Sequence, residues 1–269
     1  MSPLVEVAAA GRRFAIEYAW VGPADGPTVV FLHEGLGSVS MWRDFPARLC
    51  EALGMRGLVY SRPGYGRSTP RAAGERWRVD FMHVQAREVL PALLEALRVP
   101  PHPWLFGHSD GASIALIYAA TFPAVPAGVV ALAPHLFVED VSVASIEAIR
   151  KTYLATDLRA RLARHHDDPD SAFFGWNDIW LDTAFRAWSI EAGMEHIRCP
   201  VLAIQGEDDE YGTMAQVDRI AALVPAARLL KLSACGHSPQ RDQPQRVIDA
   251  FGEFLRDRVT DGASGRAGG

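Results

Sequence analysis

Gly107-His108-Ser109-Asp110-Gly111 sets a serine between two glycines in the pattern G-x-S-x-G. A serine hydroxyl is a weak nucleophile at neutral pH and becomes effective only beside a general base. The pattern alone is short, but its setting strengthens it: it falls between the apolar run Trp104-Leu105-Phe106 and a helical stretch that begins near Ala112. Strand, sharp turn and helix in that order push a serine hydroxyl out at the carboxyl end of a strand. The start of the helix then faces the same point, where its free N–H groups and dipole favour developing negative charge.

Nine histidines could supply the base. His237 has the strongest claim, because Cys235-Gly236-His237-Ser238-Pro239 follows an apolar run that ends at Leu232. Loops at the carboxyl ends of parallel strands share one rim, so His237 can meet Ser109. His165 and His166 lie beside the acidic break Asp167-Asp168-Pro169-Asp170 and read as solvated loop, while His83, His102 and His196 have no motif around them. His135 opens a long stretch without strand signals and can line a pocket. The base in turn needs a carboxylate to hold its tautomer. Glu207-Asp208-Asp209-Glu210 follows the apolar run 201–205 at the same rim. Most of four consecutive acids are expected to face solvent, and one near position 208 stands where the base needs it.

These residues require a frame. The chain has 269 residues, 49% hydrophobic and 22% charged, with a net charge of −5. Such a balance lacks the basic face that phosphate binding needs, so no nucleic-acid partner is expected. A chain of this length buries roughly three quarters of its unfolded surface and needs no disulfide or metal staple. Cys50, Cys199 and Cys235 are too few and scattered for a disulfide framework or a zinc site, and no metal is expected. Met1-Ser2-Pro3-Leu4-Val5-Glu6 lacks the pattern of a secretory signal, and no run approaches the length of a membrane span. The expectation is a cytoplasmic protein with no membrane partner.

Apolar runs alternate with amphipathic stretches, the pattern of strands joined by crossover helices. Strands are expected at 4–7 and 14–20 as a hairpin, then at 28–32, 58–60, 104–106, 128–133, 201–205 and 227–232. Helices are expected between them, including 41–53 and 79–97, the latter interrupted at Pro91. From His135 to about Arg198 the alternation stops and only helical pattern remains. The fold class is therefore α/β, a mostly parallel, doubly wound sheet with a helical cap inserted between two strands. Residues 1–134 and 199–259 form the core and 135–198 the cap; the Gly/Ser-rich tail, 260–269, is expected to be disordered.

The order Ser109, acid, His237 resembles the α/β-hydrolase superfamily over about residues 14–258. Within it the chain is similar to small capped esterases and carbon–carbon bond hydrolases. The resemblance selects Asp209 over Asp208 as the acid, three residues after the glycine that ends the strand. It gives one oxyanion donor to the backbone N–H of Asp110. His33-Glu34-Gly35-Leu36-Gly37-Ser38 resembles the superfamily's His-Gly-rich loop, with Glu34 where glycine is usual. Read as H-x-G-x-G, it makes Gly35 the second donor; a shift of one residue makes it Glu34 or Leu36. A charged Glu34 there opposes oxyanion formation unless a cation such as Arg62, or an arginine of the insertion, neutralises it. Tyr60-Ser61-Arg62-Pro63-Gly64-Tyr65-Gly66-Arg67-Ser68 resembles the D-x-R-G-x-G-x-S turn, with Ser61 and Pro63 replacing the usual Asp and Gly, and reads as structural.

The insertion is aromatic, with Tyr153, Phe173, Phe174, Trp176, Trp180, Phe185 and Trp188. Most are expected to pack against the core. His135, Trp176, Trp180 and Trp188 are the candidates to face a small, largely apolar substrate. The insertion's cations, Arg150, Lys151, Arg159, Arg161, Arg164 and Arg186, are expected mostly on a solvated face, with one available for a substrate carboxylate. The resemblance implies a cofactor-independent serine hydrolase acting on carboxylic esters. The same three residues would also serve carbon–carbon bond cleavage in vinylogous diketones, or thioester and lactone hydrolysis. Epoxide and haloalkane chemistry is disfavoured, because those relatives carry aspartate at the position of Ser109. A non-catalytic receptor on the same fold is the reading from a different class. The sheet edges permit a homodimer without requiring one.

Overall fold

Alternating apolar runs close into one sheet in the computed structural model, which describes residues 2–264, of which 258–264 as backbone alone. Among the described residues the sheet has eight strands: β1 (Leu4–Ala9), β2 (Arg12–Val21), β3 (Thr28–Leu32), β4 (Arg56–Tyr60), β5 (Trp104–His108), β6 (Gly128–Leu132), β7 (Val201–Gly206) and β8 (Arg228–Leu232). Their order is β1-β2-β4-β3-β5-β6-β7-β8. β2 runs antiparallel to both β1 and β4, and every other pairing is parallel. The expected mostly parallel, doubly wound α/β sheet is thus the observed one. β3, β5 and β6 are buried at every position, which is why they read as unbroken apolar runs.

Helices cover both faces. On one side α1 (Phe45–Leu53) and α10 (Pro244–Ser264), with the short α9 (Pro239–Asp242), pack Phe45, Leu49, Phe251 and Phe254 against Phe31, Trp104 and Phe106. On the other lie α2 (Phe81–Val84), α3 (Leu90–Ala96), α4 (Asp110–Thr121) and α8 (Ala215–Leu223). The break expected at Pro91 takes the form of a π turn, Gln85–Val89, between α2 and α3. Proline has no N–H to donate and its ring crowds the preceding turn, so the helical ladder widens just ahead of it. Between β6 and β7 the chain forms α5 (Asp140–Ala155), α6 (Leu158–Leu162) and α7 (Pro169–Trp180), then 3-10 turns at Thr183–Ala187 and Met194–His196. α7 starts cleanly because the Asp168 carboxylate accepts from the Ser171 N–H at 2.8 Å and Pro169 follows it. α10 continues beyond the end expected near residue 258, to Ser264, and the rest of the tail lies outside the described residues. Among the described residues no helix is long and apolar enough to cross a membrane.

Candidate active site

Ser109 sits between β5 and α4 with φ 53° and ψ −121°. A non-glycine residue held there costs on the order of 1–3 kcal/mol, strain that surrounding packing must enforce. The enforcement is steric. A side chain at Gly111 would collide with the backbone carbonyls of Leu32 and His33, and one at Gly107 with the backbone of Gly111 and Ala112. Glycine at both ends therefore lets α4 press against the sheet and turns the Ser109 hydroxyl outward, while the Ser109 N–H is tied to the Leu132 carbonyl at 2.9 Å.

His237 and Asp209 converge on that hydroxyl. His237 Nε2 lies 3.0 Å from Ser109 Oγ, and its Nδ1 lies 2.8 Å from Asp209 Oδ1. Asp209, with a side chain 1% exposed, also accepts from the Tyr211 N–H at 2.8 Å and from Gln205 Nε2 at 3.2 Å. Burial pushes its carboxyl up, but the imidazole hydrogen bond and charge, with the Tyr211 N–H, outweigh burial and hold the pKa below the ordinary value. Asp208 is exposed, and its N–H is spent on the Cys235 carbonyl at 3.0 Å. His237 is itself held at its backbone: its carbonyl accepts from His108 Nε2 at 2.7 Å and its N–H donates to Glu210 Oε2 at 3.2 Å.

The loop after β3 makes a turn in which the Gly37 N–H donates to the Glu34 carbonyl at 3.1 Å. The N–H groups of the two central residues, Gly35 and Leu36, take no part in that bond. The turn's carbonyls are claimed from outside. Glu34 O accepts from His33 Nδ1 at 2.7 Å and Arg62 Nη2 at 2.8 Å, and Leu36 O accepts from His166 Nε2 at 2.9 Å. As the first residue of α4, Asp110 has an N–H that no preceding helical turn can accept.

These elements and this geometry coincide with a known family. A family model described as the alpha/beta hydrolase family matches residues 29–250. The chain belongs to the alpha/beta hydrolase family. It is 28% identical to a bifunctional esterase/perhydrolase of Acinetobacter calcoaceticus, over 87% of this chain and 94% of that one. It is 22% identical to a monoacylglycerol lipase of Bos taurus, over 87% of this chain and 76% of the other. Among solved structures, a carboxylesterase of Nitrososphaera gargenis matches with a TM-score of 0.74 at 19% identity, covering 95% and 99% of the two chains. A thermophilic esterase of Thermogutta terrifontis matches with a TM-score of 0.70 at 18% identity, covering 96% and 98%. At these identities the structural likeness speaks for the fold.

In this hydrolase a cavity of about 240 Å³ opens over Ser109. Gly35, His135, Trp176 and Trp180, all expected at the site, line it together with His108 and His237. Trp176 lies so close to Gly35 that any side chain at 35 would run into its indole. Trp180 donates from Nε1 to Asp110 Oδ1 at 3.2 Å, joining α7 to the start of α4. His135 is 3% exposed, and burial, helped by the charge of His237, lowers its pKa to about 3, so it meets the cavity as a neutral imidazole.

Several expectations need correction. Trp188 does not line the cavity: it stacks on Phe185 at 5.1 Å and stands behind Trp180 at 6.4 Å, supporting the wall. His166 is not solvated loop but 3% exposed, accepting from the Gly66 N–H at 2.9 Å while it donates to the Leu36 carbonyl. The Glu34 carboxylate pairs with His108 Nδ1 at 3.5 Å, while the Arg62 guanidinium reaches only the Glu34 backbone. Arg150, Arg159, Arg161 and Arg186 pair with Asp178, Asp170, Asp157 and Asp140, away from the cavity. The cation that does line it, Arg241, along with Ile146 and Tyr211, escaped the sequence reading. Tyr211, with its ring 4.7 Å from the His237 imidazole, carried the one usable signal, an aromatic directly after the acidic run.

Proposed function

We propose that this alpha/beta hydrolase cleaves a small carboxylic ester through an acyl-enzyme on Ser109. The observation that carries the reading is the continuous chain Ser109 Oγ, His237 and Asp209 Oδ1, linked at 3.0 and 2.8 Å where Ser109 and His237 line the cavity. His237 Nε2 removes the hydroxyl proton as Oγ attacks the ester carbonyl, and Asp209 holds the ring with Nδ1–H toward itself and stabilises the imidazolium. Negative charge on the carbonyl oxygen is met by the N–H groups of Asp110 and Gly35. The imidazolium then protonates the departing alkoxide. In the second half His237 deprotonates a water, whose attack on the acyl carbon releases the acid and restores Ser109.

Residues 135–198 act as a cap in this reading, with Trp176 and Trp180 of α7 as an apolar ceiling and neutral His135 as a side wall. A cavity of about 240 Å³ falls below the roughly 300–1,000 Å³ typical of sites for drug-sized ligands, which favours short acyl groups. The esterase named among the sequence relatives supports ester over carbon–carbon bond cleavage.

The test is turnover of p-nitrophenyl esters from acetate to octanoate, and benzoate, by the wild type and Ser109→Ala. Loss of at least roughly 10⁴-fold in kcat in the variant is expected. Fluorophosphonate labelling of Ser109 without ester turnover would move the substrate to carbon–carbon bonds. Absence of both turnover and labelling would overturn the enzyme reading.

A further inference from the structure

We propose that Arg62 is a positioning residue that holds both halves of the oxyanion site at once, and that it selects Gly35 as the second donor. The proposal rests on the serine-hydrolase reading above. One peptide plane sets the geometry. The carbonyl of Glu34 and the N–H of Gly35 belong to the same planar trans unit and point in opposite directions. Whatever pulls the Glu34 carbonyl away from the cavity aims the Gly35 N–H into it. Three donors do so: His33 Nδ1 at 2.7 Å, Arg62 Nη2 at 2.8 Å and the Gly37 N–H at 3.1 Å. Gly35 lines the cavity over Ser109, as this aim requires. Of the three donors only Arg62 carries a permanent charge, so its bond both fixes the plane and polarises the N–H most strongly.

The same guanidinium forms an ion pair, without a hydrogen bond, to the side chain of the other donor residue. Arg62 Nη2 lies 3.8 Å from Asp110 Oδ2, and the second oxygen of that carboxylate is held by Trp180. Arg62 also fixes His33, because its backbone N–H donates to His33 Nε2 at 2.9 Å. One side chain thus connects the turn after β3, the first residue of α4 and the tryptophan of α7.

Arg62 bears on stability as well as on the site. Arg62 is 0% exposed, and its Nε and Nη1 are buried with no hydrogen-bond partner in the protein. Removing Arg62 alone leaves the buried Asp110 carboxylate without its counter-charge, a cost in stability that the experiment separates from a cost in catalysis. The contacts of Arg62 run to Glu34, Asp110 and His33 around Ser109, where a supporting side chain acts.

The experiment compares wild type, Arg62→Met and Arg62→Lys. For each it measures kcat and KM on p-nitrophenyl acetate, melting temperature, and inhibition by an alkylboronic acid and by acetate. The boronic acid forms a tetrahedral adduct on the serine, and acetate is a planar product. Arg62→Met is expected to lose roughly 10- to 100-fold in kcat, less than outright removal of one donor. KM should stay within about twofold, boronate affinity should fall in step with kcat, and acetate affinity should hold. Arg62→Lys, which keeps a permanent charge for the Glu34 bond, should recover part of the loss. A kcat of Arg62→Met within twofold of wild type overturns the proposal. So does a parallel decline of all four activity readouts with melting temperature, or failure of both variants to fold. Wild-type protein without ester turnover overturns the ester reading and this proposal with it.

Discussion

Asp208 and Asp209 are chemically identical neighbours, yet only Asp209 reaches His237, because the turn after β7 directs one carboxylate inward against the imidazole and leaves the other in water. Asp209→Asn is therefore expected to reduce kcat by roughly 10⁴-fold, since the amide offers the ring the wrong hydrogen-bond pattern. Asp208→Asn should leave kcat within twofold, and steady-state assays of the two variants side by side check the contrast. Glu34 supports a second prediction at this scale. Burial pushes its carboxyl up, but the hydrogen bond and charge of His108, with that of His33, more than reverse this and lower the pKa from 4.5 to about 2. The folded chain then holds its Glu34 proton less tightly than the unfolded chain does. Ionised Glu34 stabilises the fold fully above about pH 4.5, and that contribution disappears as pH falls toward 2. Melting curves of wild type and Glu34→Gln should accordingly differ near neutrality, with wild type the more stable, and converge between those two pH values. An unchanged melting temperature and activity at pH 7 would show that Glu34 braces nothing.

α7 acts as an element rather than as a set of residues. Its start is capped by Asp168, its inner face carries Trp176 and Trp180, and Phe185 and Trp188 buttress it from behind. Trp176 lines the cavity and covers Gly35, so under the proposed ester reading its bulk limits the acyl chain. Wild type is expected to prefer p-nitrophenyl acetate or butyrate to octanoate. Trp176→Leu should raise the octanoate-to-acetate ratio of kcat/KM by roughly 10-fold, the scale of discrimination that one or two methylenes give in an apolar pocket. A ratio that stays put would mean that longer chains leave the cavity elsewhere.

At the scale of the whole molecule, the strands, the elbow and the order of serine, acid and histidine were legible in the chain because each depends on neighbours in sequence. A five-residue apolar run bounded by turn residues reads as a buried strand, and glycines two residues either side of Ser109 allow the turn locally. Pro91 announced its break for the same reason, although not its π-turn form. What the tertiary structure alone decided is pairing across long separations. His166 lies 130 residues from the Leu36 carbonyl it holds, and Trp180 lies 70 residues from Asp110. Arg62 stands in a turn that reads as structural, and its side chain meets the Glu34 carbonyl and the Asp110 carboxylate only where β3, β4 and β5 bring their carboxyl ends together. Periodicity reports which face of an element is buried, and says nothing of which buried polar group answers another. That choice belongs to the packed sheet, where a desolvated donor must find its acceptor wherever the fold has brought one within reach.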